Sequence, residues 1–114
     1  MEVKRMNEER IGTREGHKLV RDMIPEIIMK QGMTIEARIT GDSEYELMLI
    51  RKLQEEVSEF IKDRNAEEIA DIEEILRCYA DHKGIEWETV EAIRKKKNDE
   101  RGSFKRRIVL QKVF

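Results

Sequence analysis

Residues 53–76 read LQEEVSEFIKDRNAEEIADIEEIL. Apolar residues recur at Leu49, Ile50, Leu53, Val57, Phe60 and Ile61, and again at Ile69, Ile72, Ile75, Leu76 and Tyr79. Both runs keep the 3.6-residue period of an amphipathic helix. Between them, Asn65 followed by Glu68 has capping-box spacing and starts the second helix. The link spans only two to four residues, so the second helix returns antiparallel to the first as a helical hairpin. The expected fold class is all-α, an antiparallel helical bundle.

On a wheel of 100° per residue, Glu56 falls among Leu49, Leu53 and Phe60, inside the apolar sector. Glu59 and Glu55 follow on the adjoining flank, about 60° and 100° further round. Of Glu55 and Glu56, the wheel turns Glu56 inward. On the second helix Glu68 projects between Ile75 and Tyr79, with Asp71 at the border of the stripe. Both helices therefore direct carboxylates at the surface that packing should bury. Desolvating a carboxylate costs several kcal/mol, and acids gathered together also repel. Something cationic must offset this, either basic side chains from elsewhere or metal ions.

An oxygen-only donor set without a convergent cysteine or histidine selects Mg2+, with Mn2+ as an alternative, over zinc. Such an ion neutralises phosphate charge and lowers the pKa of an attacking water. A spare glutamate, Glu55 or Glu56, can then orient that water or take its proton. Positive charge for the remaining phosphate oxygens is available at Lys95–Lys97, Asn98 and Arg101, where Lys97 and Arg101 share a helix face.

Working outward, Ser43 with Glu46 suggests a capping box at the start of the first long helix. Residues 34–40, TIEARIT, alternate like a strand. In KLVRDMIPEIIMKQG, Asp22 is expected to cap a short helix with Pro25 in its first turn. Leu19, Met23, Ile27 and Ile28 would form its apolar side, and Gly32 would stop it. Residues 1–16 are polar without a clean period, an arm preceding a single domain of residues 17–114. Beyond the hairpin, which should end near Gly84, a helix from about Glu86 to Asp99 would turn Trp87, Val90 and Ile93 inward, broken at Arg101-Gly102-Ser103. Residues 106–113, RRIVLQKV, alternate imperfectly and suggest a second strand, pairing with residues 34–40 as a small two-strand ribbon.

The 114 residues carry 23 basic and 25 acidic side chains, a net charge of −2. That balance argues against nucleic acid as a partner. Cys78 is the only cysteine, which excludes an intrachain disulfide and reads as a small hydrophobe on a helix. No apolar run approaches the ~18 residues of a membrane span, and MEVKRMNEER is too charged for a secretory leader. A cytoplasmic protein with no membrane partner is expected. His17 and His82 have no ligand-like spacing, and Trp87 and Tyr79 read as packing residues.

EEVSE (Glu55, Glu56, Glu59) followed by EIAD (Glu68, Asp71) resembles the paired motif of the all-α NTP pyrophosphatase superfamily. That superfamily includes MazG-like enzymes, dimeric dUTPases and phosphoribosyl-ATP pyrophosphohydrolases. HKLVRDMIPEII at residues 17–28 and KKKNDERGSF at residues 95–104 are similar to its small house-cleaning branch. The resemblance implies an Mg2+-dependent pyrophosphohydrolase that cleaves a nucleoside triphosphate between the α- and β-phosphates. It implies metal carboxylates at Glu55 or Glu56, Glu59, Glu68 and Asp71, and phosphate-binding residues at Lys97, Asn98 and Arg101. Arg21 and Asp22 match the KLVRD segment, and Arg21 joins the candidates for substrate phosphate. It also implies a homodimer or homotetramer, in keeping with the modest core of so short a chain. In one departure, only eight residues separate Glu59 from Glu68, fewer than in most MazG-like proteins. Two alternatives stand beside this: phosphoribosyl-ATP as the substrate, or a non-catalytic helical oligomer whose acids pair with its own lysines and arginines.

Overall fold

The computed structural model describes residues 17–114, and the expected arm of residues 1–16 lies outside them. Among the described residues the chain is all-helical. Its four helices are α1 (Ile24–Lys30), α2 (Asp42–Asp63), α3 (Ala66–His82) and α4 (Trp87–Arg101). It divides into two compact units, the first ending at Tyr79 and the second spanning Ala80–Phe114.

In the first unit, α1 begins one residue later than a cap at Asp22 would place it. Met23 occupies the N-cap without a side-chain bond, Pro25 sits in the first turn, and Ile24 N–H closes the preceding turn on Arg21 C=O at 3.0 Å. Ile24 and Ile28, one turn apart, are buried, whereas Met23 is exposed. Gly32, at φ +88°, ends the segment as expected.

Residues 34–40 form no strand. Their polar side chains fasten them to the start of α2 instead. Arg38 donates to both oxygens of Glu44, at 2.8 and 2.5 Å, and the Thr40 hydroxyl donates to Glu44 Oε1 at 2.6 Å. Only Ile35 and Thr40 of this stretch are even half-buried. The Ser43–Glu46 capping box is not formed, because Gly41 is the N-cap and Ser43 is already inside α2.

Helix α2 ends where Arg64 enters the left-handed region (φ 52°), its N–H bonded to Phe60 C=O at 2.7 Å. Asn65 Oδ1 then accepts the Glu68 backbone N–H at 3.0 Å and caps α3. This two-residue link folds α3 back along α2. The buried apolar residues of the unit are few: Ile24, Ile28, Met48 and Leu49.

The second unit opens with the last turn of α3, where Ile85 N–H bonds Ala80 C=O at 2.8 Å and Gly84 adopts φ +72°. In α4, Trp87 and Val90 are half-buried, but Ile93, expected inward, is half-exposed. Gly102 (φ +83°) caps it, donating to Asn98 C=O at 2.8 Å. Residues 106–113 carry no regular secondary structure, and their apolar side chains lie open. The expected two-strand ribbon is thus absent from the described residues. Alternation is a local property, whereas a strand needs a partner for its backbone groups. None of the described helices is long and apolar enough to cross a membrane.

Candidate functional site

The most deeply buried large side chain of the described chain is a carboxylate. Glu56 on α2 is 1% exposed, and Glu68 on α3 is 4% exposed. Each heads a three-membered carboxylate group that spans the hairpin. One oxygen from each of Glu56, Glu68 and Asp71 lies within 4.8 Å of the others, and the same holds for Glu59, Asp63 and Glu68. Glu68 belongs to both groups. Helix geometry explains the gathering. Glu56, Glu59 and Asp63 sit at i, i+3 and i+7 on α2, and Glu68 and Asp71 sit at i and i+3 on α3. The tight link at Arg64-Asn65 brings these two rows face to face.

Cations of the same unit meet part of this charge. Arg21 Nη2 donates to Asp71 Oδ1 at 2.7 Å. Lys52 Nζ lies 2.9 Å from Glu55 Oε1 and 3.7 Å from Glu56 Oε1. Lys18 Nζ lies 3.3 Å from Glu55 Oε2. Burial pushes the Glu55 carboxyl up, but the hydrogen bond and charge of Lys52, joined by Lys18, outweigh it and hold the pKa below the ordinary value. Among the described residues no donor reaches Glu56 Oε2, so Lys52 meets that side chain through its other oxygen.

Arg21, Lys52 and the clustered carboxylates wall a cavity of about 690 Å³ that runs along the hairpin. Near the interhelical link it is acidic, lined by Glu56, Glu59, Asp63, Glu68 and Asp71. Further along, Leu19, Ile24, Leu49, Ile75, Cys78 and Tyr45 line it together with Asp22 and Glu74. Among the described residues, eight carboxylate side chains line it together with Arg21 and Lys52. Leu49 and Glu56 are two turns apart on α2, roughly 10 Å, so one small molecule can span both ends. Burial, with a contact to Glu74 Oε2 at 3.5 Å, raises the Cys78 thiol above its ordinary pKa. That leaves it a neutral wall group.

Of the residues singled out from the sequence, Glu56, Glu59, Glu68, Asp71 and Arg21 all line this cavity. Glu55 does not, and its carboxylate points to Lys52 and Lys18. Lys97, Asn98 and Arg101 lie exposed on α4, in the second unit. Lys52, Asp63, Glu67 and Glu74 line the cavity and were not singled out. Asp63 follows Glu59 at i+4, a spacing that signals a shared face. Lys52 precedes Glu56 at i−4, and its side chain is largely buried.

Comparisons with protein-family models, curated proteins and solved structures find no match to this chain.

Proposed function

We propose that this chain is an Mg2+-dependent pyrophosphohydrolase of MazG-like helical architecture. It would cleave a nucleoside triphosphate between the α- and β-phosphates to give the monophosphate and pyrophosphate, a house-cleaning activity on non-standard nucleotides. The observation that carries this is the pair of carboxylate groups sharing Glu68 on the wall of a cavity that Leu19, Leu49 and Ile75 also line.

The donor set suits the ion. It consists of hard carboxylate oxygens, with no histidine among the cavity residues. Glu56, Glu59, Asp63, Glu68 and Asp71 would hold magnesium or manganese. When bound, the ion supplies charge neutralisation for the phosphates and a more acidic water. The chain supplies the rest. Arg21 and Lys52 offer cations to phosphate oxygens along the same wall. Glu55, kept ionised by its two lysines, holds Lys52 in position. A carboxylate of the cluster that is not ligating would accept the proton of the attacking water. Leu19, Leu49 and Ile75 cover the nucleoside and keep bulk water from it. The roles given to Lys97, Asn98 and Arg101 rest on resemblance alone.

One observation favours a second reading, a non-catalytic helical module: Arg21 and Lys52 already pair with the cluster. The gathering of hard carboxylate oxygens from two helices around Glu68 suits a divalent ion, which is why the enzyme is preferred. A pyrophosphate-release screen decides. Standard and modified nucleoside triphosphates and phosphoribosyl-ATP are offered with magnesium, with manganese and with chelator. Metal-dependent pyrophosphate from nucleoside triphosphates supports the proposal. Turnover of phosphoribosyl-ATP alone changes the substrate, and no turnover of any compound leaves the helical module.

A further inference from the structure

Residues 18–22, KLVRD, run from one helix of the hairpin to the other. Lys18 Nζ lies 3.3 Å from Glu55 Oε2 on α2, and Arg21 Nη2 donates to Asp71 Oδ1 on α3 at 2.7 Å. Three residues of extended chain cover roughly 10 Å, which is about the distance between two packed helices. Between the two ion pairs, Leu19 and Val20 are half-buried, and with Arg21 and Asp22 they line the cavity.

The hold on this segment is uneven. At one end α1 is anchored by buried Ile24 and Ile28, and the turn that Ile24 N–H closes on Arg21 C=O joins segment to helix. Residues 18–20 carry no helix or strand, and no backbone hydrogen bond ties them to another described residue. The cations of the two ion pairs are open to water, Lys18 at 37% and Arg21 at 56%. Pairs of that kind are weak. Arg21 is therefore held by a bond that a competitor for Asp71 can break. Such a competitor follows from the proposed function, because Asp71 with Glu56 and Glu68 forms one of the two carboxylate groups.

We propose that KLVRD is a strap closing the cavity, and that a divalent ion at Asp71 unfastens it. The ion takes the Asp71 carboxylate, Arg21 loses that partner, and the strap swings about residues 22–24 while α1 stays in place. The released guanidinium is then available to the phosphates of a nucleotide that enters with the ion or after it. Arg21 is thus a positioning residue that makes access to the cavity depend on metal. This rests on the metal reading of the carboxylate groups and adds an order of events to it.

Cys78, the only cysteine, lines the same cavity and serves as the probe. Two neutral thiol reagents, methyl methanethiosulfonate and the bulkier N-phenylmaleimide, are reacted with the full chain, and the ratio of bulky to small rates is read. Thiol ionisation affects both reagents alike, so the ratio follows access. In the unmodified chain, saturating magnesium should raise the ratio about two- to fivefold, the range set by one exposed ion pair. Arg21→Ala should show the raised ratio without metal and no further rise with it, and Arg21→Lys should restore part of the closure. Lys18→Ala, which frees the other end, should raise the metal-free ratio and keep a response to magnesium. Circular dichroism checks that each variant keeps its helices, and the metal response of the unmodified chain decides even where a variant does not fold. The thermal midpoint is followed alongside. A midpoint that rises with magnesium while the ratio stays flat or falls overturns the strap and leaves the metal site standing. A midpoint and a ratio that both ignore magnesium overturn the two together. A folded Arg21→Ala whose metal-free ratio equals that of the unmodified chain also overturns the strap.

Discussion

Glu56 sets a folding cost against the role proposed for it at a single position. A carboxylate 1% exposed beside Glu68 and Asp71 is held at a cost that apolar packing would avoid. Glutamine keeps its shape and removes its charge. Without divalent ions, Glu56→Gln should therefore equal or exceed the unmodified chain in stability, by up to about 2 kcal/mol. With magnesium, the unmodified chain should gain in thermal midpoint and the variant should not. Equal magnesium shifts in both proteins would remove Glu56 from the metal site. Glu44 makes a simpler case. Hydrogen bonds from Arg38 and then Thr40 hold its pKa at about 2. Because the folded value lies below the unfolded one, about 4.3, its stabilisation is complete above that pH and fades as pH falls towards 2. Glu44 is exposed, so the effect is small and screened by salt. Glu44→Gln should flatten the fall in thermal midpoint between pH 4.3 and 2 at low salt, and an unchanged slope would contradict this. The inward set Glu56, Glu59, Glu68 and Asp71 was legible because helix period alone places those residues. The pairing of Arg21 with Asp71, 50 positions apart, was not, because a wheel reports a face and never what stands across from it.

At the scale of the element, the hairpin depends on two residues. Arg64 supplies the left-handed turn, and Asn65 captures the Glu68 N–H. Asn65→Ala should destabilise the chain by about 1 kcal/mol in urea melts, and Asn65→Ser should recover most of that. Loss with both substitutions would assign Asn65 a role other than capping. Because Asn65 also fixes where Glu68 starts its helix, Asn65→Ala should weaken magnesium stabilisation although it removes no ligand. The helices, this cap and the stops at Gly32, Gly84 and Gly102 could all be read from sequence, since each depends on residues within one turn. The strands at 34–40 and 106–113 could not. Alternation there is genuine, but Arg38 and Thr40 spend their bonding on Glu44, and the later segment lies open. The Ser43–Glu46 box failed for a related reason. Gly41 begins α2 two residues ahead of Ser43, and a serine inside the first turn has no cap to make.

Across the whole molecule, charge is distributed unevenly: the net −2 divides into −6 before Ala80 and +4 from there on. That uneven distribution sets how the protein should respond to ions of different kinds. Sodium and potassium screen the acidic first unit without preference, so their effect should follow ionic strength alone. A divalent ion held as proposed by the paired carboxylate groups would bind the folded state and not the unfolded one. Stability should then rise with the logarithm of its concentration, by about 1.4 kcal/mol for each tenfold excess over the dissociation constant and for each site. For a chain of this length that is roughly 7 °C per decade. Two sites sharing Glu68 should show up to twice this slope. Glu68→Gln should lower it at both, whereas Glu59→Gln should leave one site's worth. The check is a magnesium titration of the thermal midpoint at ionic strength matched with potassium chloride. If potassium reproduces the magnesium curve, the cluster is only a screened acidic surface. If magnesium acts and Glu68→Gln abolishes the slope while Glu59→Gln halves it, the two carboxylate groups bind separate ions through one shared side chain.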